Sequence, residues 1–252
     1  MSKRYLVAIA NYQDYRQAFF NTYTSNRNKD YAFKHNFEYL EFTKNLPKFR
    51  DHPMWLQFSL VRDLISNNTF KENDIVTYVD ADACLHNMEL PFITNKSFTY
   101  SIDSGNTHCM GIYSIKINEW TVKLLNLILD EHRYANLNNK ESYHEHFNFM
   151  SCFWHEFRGQ ASWYSLAGIK RHSNVPFYNL AHYGWHSAKD EWTVYSLEEL
   201  YKNVEILPTC WNVTEMEGES SCEFNINKVE KKDVIIRHFA GGQPWREEWF
   251  NI

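Results

Sequence analysis

The chain has 252 residues, 44% of them hydrophobic and 17% aromatic, which is enough to fill the core of one large α/β domain. Its formal charge of −5 excludes a general electrostatic drive toward nucleic acid or an anionic membrane, although a local basic groove stays compatible with it. No run approaches the roughly 18 apolar residues of a membrane span, and the five cysteines, odd in number and without a Cys-x-x-Cys, exclude a zinc ribbon or a disulfide framework. Reduced thiols and no leader-like segment predict a cytoplasmic protein, in the host cytoplasm if the source is viral.

Arg4 to Ala10 predicts a first strand that ends in Asn11-Tyr12. Ligands favour that edge of an open α/β sheet. Asp14 to Tyr23 has helical spacing, with Tyr15, Ala18, Phe19 and Tyr23 on one side, and a second helix is predicted over Asn28 to His35. From spacing alone, Lys29 and Lys34 in that helix read as solvated. Phe37 to Phe42 predicts the second strand. After a polar loop, His52-Pro53 opens a helix with proline at an early position, where its missing N–H costs nothing. Met54, Trp55, Phe58, Val61, Leu64 and Ile65 form its apolar stripe, which reads as core.

Next comes the stretch on which the functional reading turns. Ile75 to Val79 is rich in β-branched and aromatic residues and predicts a short buried strand, running straight into Asp80-Ala81-Asp82. Two carboxylates at the end of a buried strand can hold a hard divalent cation such as Mg²⁺ or Mn²⁺. Such an ion bridges the phosphates of a nucleotide and neutralises a departing diphosphate. The alternation strand, helix, strand, helix, strand over the first 85 residues predicts an α/β sheet that is mainly parallel.

Beyond the carboxylates an alternating segment runs from Phe98 to Asp103. Gly111 then precedes the apolar run Ile112 to Ile115, which suggests a bulge or a close backbone approach. Asn118 caps a helix through about Glu131. Ser142 to Trp154 is aromatic and histidine-rich, but His144 and His146 stand at i, i+2 and point apart on a helix, which does not make a zinc site. Ser196-Leu197-Glu198-Glu199 is a capping box, and Glu205 to Leu207 predicts a strand running into a turn at Pro208. The last apolar strand, from Val234, ends in His238 and is followed by Gly241-Gly242. Imidazole suits Mn²⁺, and the glycines let backbone N–H groups approach phosphate oxygens.

Four motifs taken in order carry a resemblance. They are Asn28-Lys29-x-Tyr31-Ala32-x-x-His35, the strand into Asp80-Ala81-Asp82-Ala83, Leu207-Pro208 with Trp211-Asn212, and His238-Phe239-Ala240-Gly241. Together they resemble the galactosyl-, mannosyl- and xylosyltransferase family of retaining GT-A enzymes, and the ending before Pro244-Trp245 looks like that of the glycogenin-like retaining transferases. The resemblance spans about Tyr5 to Trp245. It implies one GT-A domain over 1–252, in which 1–85 is the nucleotide-binding half and 86–252 the donor-sugar and acceptor half.

The resemblance also implies residue roles. Asp80, Asp82 and His238 would hold Mn²⁺ (or Mg²⁺) on the diphosphate of a nucleotide sugar, a UDP-sugar being favoured. Ala8, Ala10 and Asn11 would line the base and ribose, and Lys29 and Tyr31 would contact the nucleotide, which replaces the solvated reading of Lys29. Ala81 would contact the nucleotide sugar, and Gly241 and Gly242 would cradle the phosphates. Asp103 and the strand after Gly111 would lie beside the donor sugar. Glu145 and His146 fall where the family carries an acidic-Gln pair near the reacting sugar. The family's Trp-x-Lys is Trp55-Leu56-Gln57 here, its Asn-Ser/Thr-Gly is Cys109-Met110-Gly111, and the Lys before Pro-Trp is Gln243. The implied reaction moves a hexose or pentose to an acceptor hydroxyl with retention, with Asp103 or Glu145 as a possible nucleophile if attack is not front-face. The aromatic middle, Tyr143 to Trp163 and Phe177 to Trp192, could stack on sugar rings or equally on an exposed nucleobase, and a glycan is the first-choice acceptor. A modified DNA base is the alternative acceptor, and a silent nucleotide-sugar or glycan binder the alternative function.

Overall fold

The computed structural model describes residues 2–11, 15–44, 46, 56–92, 94–104, 108–129, 197–214, 217–218 and 227–239. Its centre is a six-stranded sheet made from β1 (Arg4–Ile9), β2 (Glu38–Phe42), β3 (Ile75–Asp80), β5 (Phe98–Ile102), β6 (His108–Lys116) and β7 (Val204–Leu207), in the order β2-β1-β3-β6-β5-β7. Strands β1 and β2, β1 and β3, and β5 and β7 pair in parallel, while β6 runs antiparallel to both neighbours. Five strands therefore point one way and one points back. This is the mixed, mainly parallel α/β sheet that the alternation of strands and helices predicts.

Helices cover both faces, as buried parallel strands require. Odd positions of β1 (Tyr5, Val7, Ile9) join Phe58 and Val61 of α3 (Leu56–Ser66) and Leu124, Leu125 and Ile128 of α4 (Glu119–Ile128) in the largest core cluster. Four rings bind its middle, Tyr113 stacking on Phe58 at 5.3 Å, Tyr78 at 5.2 Å and Phe98 at 5.6 Å. Even positions face the other way. Leu6 packs with Tyr31 and Ala32 of α2 (Ser25–Lys34), while Ala8 and Ala10 lie against Phe20 and Ala81. Asn118 caps α4 as its position predicts, accepting from the Thr121 N–H at 2.9 Å while Thr121 Oγ1 accepts the Asn118 N–H at 3.0 Å.

Two features depart from the expectations. The helices expected at Asp14–Tyr23 and Asn28–His35 are one continuous run: α1 (Tyr15–Phe19) passes through a π-helical turn, Phe20–Thr24, into α2. No Gly or Pro interrupts that stretch, and the Thr22 hydroxyl bonds back to the Ala18 carbonyl at 2.8 Å, so the polar residues that look like a break are accommodated inside the helix. The second departure is a separate two-stranded sheet in which β4 (Ala83–Leu85) pairs antiparallel with β8 (Ile236–His238). Each strand has three residues, too few for a periodicity to show in the sequence. The short helix α5 (Leu197–Asn203) leads directly into β7. Among the described residues no helix is long and apolar enough to cross a membrane.

Candidate metal and nucleotide site

Because β1, β3 and β5 are parallel, their carboxyl ends share one edge of the sheet, and antiparallel β6 begins there. Ala10 and Asn11, Asp80, Asp103 and Gly111 all fall at that edge. Asp80 closes β3 and pairs with Ile9 of β1. Ala81 and Asp82 form the turn into β4, so the second carboxylate belongs to the small sheet and not to the large one.

The small sheet supplies the third group. Ala83 pairs with His238, and the Phe239 N–H donates to the Asp82 carbonyl at 2.9 Å. His238 Nε2 thereby stands 3.4 Å from Asp82 Oδ1 and 3.8 Å from Asp80 Oδ2. One ligand atom from each of Asp80, Asp82 and His238 lies within 4.8 Å of the other two. Both Nε2 separations exceed the roughly 2.7–3.2 Å of an N–H···O bond, so the three groups surround a gap and do not close on one another. Asp82 and His238 are buried and Asp80 is partly exposed, which leaves one open side.

Second partners fix the groups from behind. The Tyr78 hydroxyl donates to Asp80 Oδ1, leaving Oδ2 toward His238. His238 Nδ1 lies 2.9 Å from Asn212 Oδ1. Gly111 forms the wall. A β-carbon there would stand 2.5 Å from His238 Cε1 and 2.7 Å from Asp80 Oδ2, so any side chain at this position would force the imidazole, the carboxylate or the strand to shift. The close backbone approach predicted at Gly111 is therefore present, and its cause is the imidazole and carboxylate pressed against it. Two carboxylates, an imidazole and a cradle that only glycine leaves open fit a divalent cation of the Mg²⁺ or Mn²⁺ kind.

The other candidate residues are placed as follows. Ala8 and Ala10 are buried beneath Phe20 at the end of β1, with Ala81 beside them, and Asn11 is exposed at the edge. Lys29 is half exposed and stands 3.9 Å from the Glu41 carboxylate. Glu41 also accepts from the hydroxyls of Ser25 at 2.7 Å and Tyr39 at 3.1 Å. Tyr31 is completely buried. Its hydroxyl donates to the Leu90 carbonyl at 2.9 Å and accepts the Phe92 N–H at 2.6 Å, and burial pushes the phenol up to about 12. The structure thus turns Tyr31 into the core, away from the strand edge. Asp103 follows β5, and its neighbour Ser104 is locked to Thr214: Ser104 N–H donates to Thr214 Oγ1 at 3.3 Å and Thr214 N–H to Ser104 Oγ at 3.1 Å. That clasp sets the Asp103 backbone next to the segment carrying Asn212. Glu145, His146, Gly241 and Gly242 lie outside the described residues.

Asn212 and Tyr78 are the site residues to which the sequence assigns no role. Asn212 belongs to a recognised motif, but only the contact across 26 positions to His238 reveals what it touches. Tyr78 stands two residues before Asp80, on the same side of β3, and there the strand period itself holds the clue.

No protein-family model matches the chain, and no curated protein sequence does so either. Among solved structures it is similar to a glycosyltransferase involved in the glycosylation of the major capsid of PBCV-1, at 7% identity over 95% of this chain and 94% of that one, with a TM-score of 0.46. It is also similar to the glycosyltransferase GlyE of Streptococcus pneumoniae TIGR4 (12% identity, 98% of this chain and 57% of that one, TM-score 0.39). A third is the galactosyltransferase LgtC bound to donor and acceptor sugar analogues (13% identity, 98% and 91%, TM-score 0.33).

Proposed function

We propose that this protein is a divalent-metal-dependent glycosyltransferase of GT-A type. It would move a hexose or pentose from a nucleoside-diphosphate sugar, a UDP-sugar being favoured, to an acceptor hydroxyl with retention of configuration. A glycan is the favoured acceptor. The observation that carries this reading is the convergence of Asp80, Asp82 and His238 Nε2 on one gap at the sheet edge where the strand ends of β1 and β3 meet.

In this reading Asp80, Asp82 and His238 hold the ion, Mn²⁺ or Mg²⁺. When bound, it supplies positive charge to a diphosphate leaving group, whose negative charge grows toward the transition state. The remaining tasks fall to the chain. Ala8, Ala10 and Asn11 would mark the base and ribose end of β1, with Asn11 the exposed one of the three and the two alanines covered by Phe20. Lys29 offers a cation to the nucleotide within reach of Glu41. Gly241 and Gly242 bring backbone N–H groups to phosphate oxygens. Asp103, and Glu145 with His146, face the donor sugar as the candidate catalytic groups.

The test is thermal melting with UDP- and GDP-sugars, with and without Mn²⁺. A donor that binds only the folded state adds about 2.7 kcal/mol of stability at a hundred times its dissociation constant. A Mn²⁺-dependent shift with one donor, lost in Asp82→Ala, is the expected result. The anomeric configuration of the sugar released in donor hydrolysis then decides retention. A donor shift that persists without metal and in Asp82→Ala would overturn the reading.

A further inference from the structure

The backbone delivers Asn212 to His238 by a route separate from the carboxylates. Strand β8 is held on one side by β4. On its other side runs the segment 209–213, a 3₁₀ turn (Thr209–Trp211) followed by an isolated parallel bridge between Val213 and Arg237. The Ile235 N–H donates to the Cys210 carbonyl at 2.8 Å, the Val213 N–H to Ile236 at 3.0 Å, and the His238 N–H to Val213 at 2.9 Å. Asn212 therefore has its position fixed from both ends, and it is completely buried. Its Oδ1 meets His238 Nδ1, while its Nδ2 has no hydrogen-bond partner among the described residues.

We propose that Asn212 is the positioning residue of the metal site: its Oδ1 accepts the Nδ1 proton of His238, holding the ring in the Nδ1–H tautomer with the Nε2 lone pair turned to the gap between Asp80 and Asp82. A neutral imidazole carries one proton on two nitrogens, so the partner of one nitrogen decides the state of the other. With Oδ1 toward Nδ1, the proton must sit on Nδ1 and Nε2 is a ligand. With the amide turned over, Nδ2 would donate to Nδ1, the proton would sit on Nε2, and that nitrogen would point an N–H at the carboxylates. That N–H would face the Asp82 and Asp80 carboxylates at 3.4 and 3.8 Å, and its proton would have to leave before the nitrogen could bind an ion. The choice of acceptor over donor at Asn212 is thus what keeps the third corner of the site a lone pair. Such outer partners of ligating histidines fix ring orientation, and their loss costs about 10–100-fold in metal affinity.

This inference rests on the metal reading of the site, and two measurements separate them. The first uses metal-free protein with ¹⁵N-labelled histidine at a pH where imidazole is neutral. The His238 nitrogens are expected to show a protonated Nδ1 and an unprotonated Nε2; the reverse pattern overturns the proposal whether or not any metal binds. The second is Mn²⁺ affinity, read from the electron paramagnetic resonance of free Mn²⁺, in Asn212→Leu and Asn212→Asp. Leucine fills the space without an acceptor and is expected to lower affinity about 10–100-fold. Aspartate restores the acceptor and is expected to stay within a few-fold of wild type. Wild-type affinity in Asn212→Leu, or an equal loss in both variants with unchanged metal-free melting, would overturn it. If Asn212→Leu does not fold, the tautomer in the unaltered chain still decides. A wild-type protein that binds no Mn²⁺ yet shows the Nδ1–H tautomer would sink the metal reading and leave the Asn212 contact standing.

Discussion

Gly111 and His238 touch with no room between them: a β-carbon on Gly111 would stand 2.5 Å from Cε1 of the imidazole. The same atom would stand 2.7 Å from Asp80 Oδ2, so Gly111→Ala has to displace a proposed ligand or bend β6. Overpacking of this kind costs about 1–3 kcal/mol. The expected outcome is a folded protein with a lower denaturation midpoint and a Mn²⁺ affinity reduced at least tenfold. A variant that binds Mn²⁺ as the wild type does would show that the wall of the site lies elsewhere.

Removal of a ligand itself should cost more than removal of an outer partner. Asp82→Asn and His238→Gln keep approximate shape while weakening or removing one donor atom. Each is expected to lower Mn²⁺-dependent donor hydrolysis by roughly 100-fold or more, above the 10–100-fold range of outer-partner loss. Chelation of the wild-type protein should reproduce the defect, and added Mn²⁺ should reverse it in the wild type alone.

Tyr31 tests the fold without touching the site. In Tyr31→Phe the Phe92 N–H, buried and 2.6 Å from the hydroxyl, loses its acceptor. An unsatisfied buried donor costs about 1–3 kcal/mol. Urea unfolding should show that loss. Donor affinity of the folded variant should be unchanged, because the phenol faces Leu90 and Phe92 and not the strand edge. A change in donor affinity with unchanged stability would restore Tyr31 to the nucleotide.

His86 gives the acid side of the stability profile. Half-burial, chiefly, together with Arg27 and Lys231, lowers the His86 pKa below its ordinary value. The unfolded chain binds this proton near pH 6.5, and the folded one only at lower pH. The group's contribution is therefore fully present above about pH 6.5 and is lost as pH falls through the folded value. Metal-free His86→Gln should lose less stability than the wild type between pH 7.5 and pH 5. Parallel losses would remove His86 as the cause.

The legible part of the fold was what repeats. Strand β3 announces itself by its β-branched run, α3 by Phe58, Val61, Leu64 and Ile65, and the cap of α4 by Asn118, because each signal recurs every two or every three to four residues, or sits at a helix start. The carboxylates and His238 were legible as strand ends. What stayed hidden depends on contacts between distant segments. Strands β4 and β8 are three residues each and exist only because they pair with one another. Asn212 looks like a turn residue until the bridge at Val213 brings it against His238. Tyr31 sits in a motif with a functional look, yet the packing of α2 over the 88–92 loop turns it inward.

The small sheet gives the site a mechanical side. Asp80 ends a strand of the large sheet, whereas His238 ends β8, whose backbone pairs with β4 and the 209–213 segment and not with the large sheet among the described residues. Any ion held by both would act as a removable cross-link between segments separated by more than half of the chain. Its stabilising effect rises with the free ion concentration, as for any ligand of the folded state alone. Closing so long a loop through bonds that come and go would make β8 a part of the fold whose hold varies with metal supply, while the six-stranded sheet would keep its own pairing.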